Sequence, residues 1–251
     1  MWRVERHKLI RQKLGVSGRV SISDLVRDTG VTRETLRADL EEMAAAGDIL
    51  RVRGGAVIAP APDDPEASFQ TRIQDHPAEK LAIGREAARL LPRGASLLID
   101  AGSTTAAFAR SLSARPDLRI LTNSLHVARR LAASHDTLLL GGVPDKAGQG
   151  VYGELTLAQL RRFRVDVAVI SPVAIDAAAG LTNFDLREAE LASAMFEAAE
   201  RRMALAHAAK LGHRSRVSIA PLEALDWLVT DRLPPAPWPP MPRLVIAPRD
   251  A

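Results

Sequence analysis

Thr32, Arg33, Thr35 and Arg37 fall within six residues, and at helical spacing they crowd one side of a helix whose other side carries Leu36, Leu40 and Met43. Hydroxyl and guanidinium groups on an exposed helical stripe are donors for phosphate oxygens and base edges of a nucleic-acid duplex, and arginine offers guanine a two-pronged match. Arg51 and Arg53 add two cations in a nearby β-type run. A second set of residues suits a different task. Asp100-Ala-Gly-Ser-Thr-Thr105, Thr122-Asn-Ser124 and Gly141-Gly142 each follow a short apolar run, and the first two open onto a helical pattern. Small residues let backbone amides approach an anion, hydroxyls add donors, and a helix N-terminus supplies a favourable field. Taken singly these are ordinary turns: Ser103 and Thr104 cap a helix, Asn123 and Ser124 turn the chain, Gly141 and Gly142 form a loop. Taken together, Asp100, Gly102, Ser103, Thr104, Thr105, Asn123, Ser124, Gly141 and Gly142 are expected to form a phosphate cradle.

The elements that must position the first set are legible around it. Ser21 is a cap for a short helix with Ile22, Leu25 and Val26 on one face, and Gly30 ends it. Thr32 caps the next helix, and a helix over 4–14 with Leu9, Ile10 and Leu14 completes a three-helix core. Runs at 49–53 and 56–58 flank Gly54-Gly55, a hairpin signal. The whole reads as a winged helix-turn-helix over 1–58. Three prolines in 59–66 break every periodic pattern, so 59–75 is expected to be a linker. Over 76–233 helical patterns (79–91, 104–112, 124–133, 155–163, 188–206) alternate with short apolar runs (96–100, 118–122, 137–140, 165–170, 227–230). That alternation predicts an α/β domain with a mainly parallel sheet, whose ligands gather at the carboxyl ends of the strands. The proline-dense tail over 234–251 is expected to run extended and to add an edge strand at 244–246.

Composition narrows the class. The 251 residues carry a formal net charge of +4, which is compatible with a polyanionic partner without requiring one. With no cysteine there are no disulfides, thiolate metal sites or thiol nucleophiles, and no motif asks for a cofactor or a metal ion. No apolar run spans a bilayer and the start, Met1-Trp-Arg-Val-Glu-Arg-His-Lys8, lacks the apolar stretch of a secretory signal, so a cytoplasmic protein with no membrane partner is expected.

Val31-Thr-Arg-Glu-Thr-Leu-Arg-Ala-Asp-Leu40 followed by Gly47-Asp-Ile-Leu-Arg-Val-Arg-Gly-Gly-Ala56 resembles the DNA-binding signature of the DeoR family of bacterial repressors. The likeness continues through Glu79-Lys80, Ile83-Gly84, Asp100–105, Thr122-Asn-Ser124, Gly141-Gly142, Tyr152-Gly153, Gly180-Leu-Thr182, Lys210-Leu-Gly212 and Thr230-Asp231, in the order of the family's sensor domain. It implies a sensor similar in fold to ribose 5-phosphate isomerase, a phosphorylated sugar or polyol as effector, Lys210 as a point charge for its phosphate, operator DNA as partner and a homo-oligomer. Gly153-Glu-Leu-Thr156, Arg164-Val-Asp166 and Asn183-Phe-Asp-Leu-Arg-Glu188 look most like the branch that represses glycerol 3-phosphate metabolism. Three departures stand out: Ala38 where the family places a second arginine, His207-Ala-Ala-Lys210 in place of Asp-x-Ser-Lys, and Ser171-Pro-Val-Ala174 in place of a glycine-rich turn.

The rival class is a sugar-phosphate isomerase carrying a DNA-binding extension. Its proton transfer needs a positioned carboxylate, for which Asp100 and Asp176 are the candidates, while His207 stands where the family has a carboxylate. An architectural DNA-binding protein without ligand control leaves residues 76–233 unexplained. The expectation is therefore a non-enzymatic, ligand-controlled repressor.

Overall fold

Helix α1 (Arg3–Ser17) leads through the short strand β1 (Arg19–Ser21) into α2 (Ile22–Thr29). The entry to α2 is capped as its sequence demands: Ser21 Oγ accepts from the Asp24 amide at 3.0 Å. Its exit is closed by Gly30 at φ 69°, whose N–H reaches Val26 O at 2.9 Å. Thr32 then caps α3 (Arg33–Ala45) through the Thr35 amide at 3.2 Å. Strands β2 (Ile49–Val52) and β3 (Gly55–Ile58) form the hairpin, and β1 joins it in the antiparallel order β1-β3-β2, an addition the sequence reading lacked. Ile10, Leu14, Leu25, Leu36, Leu40, Met43 and Ile49 make the core of this unit. A buried ion pair braces it, with Arg6 Nε and Nη2 donating to Asp39 at 2.6 and 2.9 Å. Burial pushes the Asp39 carboxyl up, but the Arg6 hydrogen bonds and charge outweigh it and hold the group below its ordinary range.

This computed structural model describes residues 2–17, 19–45, 49–52, 54–58, 69–145, 149–233, 238 and 243–248, and the chain divides into two units, 1–64 and 65–251. The second unit begins with α4 (Phe69–Gln74) and α5 (Pro77–Arg89). It continues as β4 (Ser96–Ile99), α6 (Ser103–Leu112), β5 (Arg119–Thr122), α7 (Leu125–Leu131), β6 (Asp136–Leu139), β7 (Val143–Pro144), β8 (Val151–Tyr152), α8 (Glu154–Leu160) and β9 (Val165–Ile170). Then follow β10 (Ala174–Asp176), β11 (Gly180–Asn183), α9 (Leu186–Glu197), β12 (Ala199–Leu205), β13 (Val217–Ala220), β14 (Trp227–Thr230) and β15 (Leu244–Ile246).

Seven strands pair in parallel in the order β15-β14-β12-β9-β4-β5-β6. Leu97 and Ile99 face one apolar layer with Ile83, Phe108 and Val127, while Leu98 faces the other with Leu191, Met195 and Phe196, so the central strands are buried on both sides. This is the α/β architecture expected from the alternation. A small antiparallel sheet, β10-β11-β13, and the β7-β8 ribbon lie outside the main sheet.

Two expectations need correction. The helix predicted over 188–206 ends at Glu197, and 199–205 is β12, in the interior of the sheet between β9 and β14. Ala, Glu, Arg, Met and Leu favour a helix locally, and the ladders offered by β9 and β14 override that preference. The linker expected over 59–75 is helical at 69–74, where Phe69, 3% exposed, is buried with its ring 5.8 Å from that of His126.

Candidate functional site

The reader residues occupy the start of α3. Arg33 and Arg37 are exposed, Thr35 is half-buried, and the Thr32 and Thr35 hydroxyls share a hydrogen bond of 3.0 Å. Arg33 also reaches back to Ser23 Oγ of α2 at 3.3 Å, so the first turn of α3 and the preceding helix present one polar surface. Arg51 on β2 folds onto α3, donating to Arg37 O at 3.3 Å and to Glu41 Oε1 at 3.1 Å. It is thereby placed beside Arg37 with part of its charge already engaged. Arg53 lies outside the described residues.

At the carboxyl edge of the sheet, the β4–α6 turn is tied by Asp100. Its Oδ1 accepts from the Gly102 amide at 3.1 Å and from Thr105 Oγ1 at 2.6 Å, and its Oδ2 accepts from the Ser171 amide after β9 at 2.7 Å. Burial raises the Asp100 carboxyl above its ordinary pKa, opposed by those hydrogen bonds and by the charge of Lys210. Gly102 has to be glycine, since a Cβ there would lie 2.7 Å from Ser171 Cβ. Beside this turn opens a small cavity of about 30 Å³. Asp100, Gly102, Asn123, Ser171 and Arg72 line its polar side, Tyr152, Asn183 and Glu188 face them, and Leu191 and Met195 make an apolar wall. Asn123 is 1% exposed; its Nδ2 donates to Val151 O at 3.2 Å, and its Oδ1 has no partner among the described residues. Thr104 Oγ1 in the first turn of α6 is likewise buried and unpartnered among them. Of the two, only Asn123 lines the cavity, and its orphan oxygen asks for a donor, which a hydroxyl of a polyol supplies.

Residues 6–60 match the family description "DeoR-like helix-turn-helix domain", and residues 75–232 match "DeoR C terminal sensor domain". The chain belongs to the DeoR family. The chain is 33% identical to the glycerol-3-phosphate regulon repressor of Escherichia coli (strain K12) over 241 residues, which covers 94% of this chain and 93% of that one. The HTH-type transcriptional repressor GlcR of Bacillus subtilis (strain 168) is also 33% identical, over 93% of this chain and 90% of its own length. Among solved structures, ribose 5-phosphate isomerase A of Methanocaldococcus jannaschii is similar at TM-score 0.40, with 17% identity over 53% of each chain.

Within this DeoR-family sensor the structure divides the residues expected to act together. Asp100, Gly102 and Asn123 meet at the cavity, whereas Ser103 lines a neighbouring, more open depression with Lys80, Arg110, His126, Arg129 and Arg130. Thr105 is spent on the Asp100 knot, and Ser124 Oγ caps α7 by accepting from the Val127 amide at 3.2 Å. Gly141 and Gly142 do not line the cavity: the Gly141 amide donates to Gln159 Oε1 at 2.7 Å, and a Cβ on Gly142 would sit 2.1 Å from Thr156 Oγ1. They are glycines so that α8 can pack against the loop. Lys210 Nζ donates to Ser171 Oγ at 3.3 Å and to Pro172 O at 2.5 Å, shaping the loop that walls the cavity without lining it itself.

The departures from the family pattern find physical places. His207 is 6% exposed and stacks on His76 with ring centroids 4.7 Å apart. Burial first, then the nearby charges of Lys210, His76, Lys80 and Arg232, push its pKa down to about 2, so the ring stays neutral. Ser171 stands against Gly102, where its amide completes the Asp100 knot. Asp176, the second candidate base, accepts from the amides of Ala178 and Ala179 at 2.9 and 2.8 Å in a turn outside the cavity. Arg72 was missed altogether because it lay in the expected linker; a basic residue four positions before the His76-Pro77 helix start was its only trace. Tyr152, Asn183 and Glu188 were visible only through the family resemblance. Among the described residues no helix is long and apolar enough to cross a membrane.

Proposed function

We propose that this chain is a transcriptional repressor that binds operator DNA through α3 and the β2–β3 wing, and that a phosphorylated sugar or polyol in the cavity beside the β4–α6 turn controls that binding. Glycerol 3-phosphate is the first candidate, from the name of the Escherichia coli relative. The observation that carries the ligand half is the cavity beside the β4–α6 turn, lined by Arg72 and by Asn123, whose buried Oδ1 has no partner among the described residues. A hydroxyl of a small polyol ligand satisfies that oxygen and leaves the ligand's anionic end on the side of the cavity that Arg72 lines. Thr32, Arg33, Thr35 and Arg37, with Arg51 on the wing and Arg53 two positions on in the sequence, supply the contacts to the duplex.

Occupancy shifts a homo-oligomer away from the arrangement whose paired α3 helices match half-sites roughly 34 to 36 Å apart, and repression lifts. The catalytic alternative is disfavoured by the use of Asp100: both carboxylate oxygens are committed to donors that hold the turn. The test is a thermal-shift panel of sugar and polyol phosphates on the purified chain, followed by anisotropy titration of promoter fragments with and without the best binder. A stabilising phosphate that weakens DNA binding is the expected result. Absence of any salt-sensitive DNA affinity overturns the reading, and conversion of ribose 5-phosphate to a ketose would restore the enzyme.

A further inference from the structure

Ser103, Ala106, Ala107 and Arg110 follow one another at the three- and four-residue spacing of a single helix face, and that face of α6 floors the open depression beside α7. The two alanines leave room above the middle of the floor, and Ile73 of α4, Pro77 of α5 and residues of α7 complete the lining. The depression holds about 500 Å³, within the range of small-molecule sites, and among the described residues it shares no lining residue with the cavity beside the β4–α6 turn.

Its charge has one sign. Arg110 of α6 and Arg129 and Arg130 of α7 line it and are exposed, and none of the three has a hydrogen bond or an ion pair among the described residues. No carboxylate is found in the lining. Buried Lys80 adds its charge to the field, although its ammonium donates to the carbonyls of Arg72 and Asp75. His126, also in the lining, feels that field: burial first, then Arg129 and Arg130, hold its pKa below the ordinary value. A concave surface lined by charges of one sign focuses the field and gathers counter-ions. The other end of the α6 face carries a donor of a different kind. Ser103 is 3% exposed and lines the depression, and its hydroxyl makes no hydrogen bond among the described residues. It stands in the first turn of α6, where free backbone amides and the helix dipole favour an anion.

Ser103 and Arg110 are seven residues apart, roughly 10 Å along the axis of α6. A single phosphate cannot meet both ends. We propose that the depression is a second ligand site, for a small molecule whose two phosphoryl groups are separated by a carbon body. One group meets Ser103 and the first turn of α6, the other meets Arg110, Arg129 and Arg130, and the body lies over Ala106 and Ala107. Guanidinium forks suit a phosphoryl dianion, and the alanine floor suits the carbon atoms between the two ends. The site uses neither Asp100 nor Asn123, so it stands independently of the cavity beside the β4–α6 turn.

Calorimetric titration of the full chain at fixed ionic strength tests it, with fructose 1,6-bisphosphate as the probe of that class and pyrophosphate and glycerol 3-phosphate beside it. The bisphosphate should bind more tightly than pyrophosphate, whose adjoining phosphoryl groups cannot span the two ends. Arg110→Gln and the double change Arg129→Gln/Arg130→Gln should each weaken the bisphosphate by roughly tenfold or more, with thermal melts unchanged because the three side chains are exposed and unpaired. Ser103→Ala should remove the advantage of the bisphosphate over pyrophosphate. A bisphosphate that fails to bind, or whose affinity the arginine variants leave unchanged, overturns the site. Pyrophosphate binding as tightly as the bisphosphate, with the same loss in the variants, overturns the two-ended ligand. Duplex DNA of unrelated sequence that loses affinity in the arginine variants, while the bisphosphate does not bind, assigns the face to a nucleic-acid backbone instead. A wild type that binds the bisphosphate through these arginines but no glycerol 3-phosphate counts against the other cavity and leaves this site standing.

Discussion

Arg37 stands exposed on α3 with its nearest carboxylate, Glu34, only at the limit of pairing, 4.0 Å away. An arginine so placed exchanges a loose surface contact for a phosphate or a guanine edge at little cost. Arg37→Ala should lower promoter affinity and reduce the slope of log affinity against log salt by about 0.9, as expected for one lost phosphate contact. Effector affinity should not change, and an unaltered slope would take Arg37 out of the interface. His207 permits a prediction of different sign. Its folded pKa, pushed down to about 2, lies below the roughly 6.5 of an unfolded histidine, so below that pH the unfolded chain binds a proton that the folded chain refuses. The sensor should therefore lose on the order of 1.4 kcal/mol per pH unit as acidity increases below about 6.5. Thermal melts between pH 7.5 and 5.0 should show this slope in the wild type and a weaker one in His207→Gln; parallel slopes would mean that the ring takes up a proton without penalty. From sequence alone this position read only as a departure from the family's aspartate, since its burial beside His76 and Lys80 brings together elements far apart in the chain.

At the scale of elements, what was legible is what local chemistry decides. Ser21, Gly30 and Thr32 mark the ends of α2 and the start of α3 because caps act within a few residues. The doubly buried strands β4, β9 and β14 announce themselves as short, mainly apolar runs. Strand β12 did not, because its first half, Ala199-Glu-Arg-Arg202, is polar and helix-favouring, and its place depends on neighbours such as Asp226, which accepts from the Arg202 amide at 2.8 Å. The cavity was half legible for a related reason. Asp100, Gly102 and Asn123 lie on strand ends, where open α/β sheets gather ligands, whereas Arg72 is delivered by a six-residue helix with no periodicity long enough to read. Gly55 shows how an element can hang on one atom. The Gly54-Gly55 pair was read as turn chemistry, yet Gly55 is required because β1 passes so close that a Cβ would lie 1.9 Å from Val20 O. Gly55→Ala should detach β1 from the wing and destabilise the reader by roughly 2 kcal/mol or more. Exchange of the Val20 and Ile22 amides measures this directly, and protection equal to wild type would show that the backbone yields.

For the whole molecule, the two units have hydrophobic cores of their own, one around Leu36 and Leu40 and the other on both faces of the seven-stranded sheet. Damage to one core is then not paid for by the other, and the Gly55→Ala reader should leave the affinity of the sensor for its phosphate intact. Control of DNA binding by a ligand requires something further, a free energy that links the two occupancies. Such a coupling is symmetric: if the effector weakens the operator complex by a given factor, operator DNA must weaken effector binding by the same factor, typically about 5 to 150-fold. Anisotropy with saturating effector and calorimetry with saturating operator measure the two arms independently. Equal factors would establish one linked equilibrium within the repressor. A factor seen in the DNA arm alone would mean that the effector acts on the DNA or on the salt conditions rather than through the protein. Variants that alter only the reader, such as Arg37→Ala, should shift both affinities for DNA in parallel and leave the factor unchanged, whereas a variant in the coupling path must shrink it. The coupling factor, rather than either affinity, is therefore the quantity that separates a damaged binding surface from a broken switch.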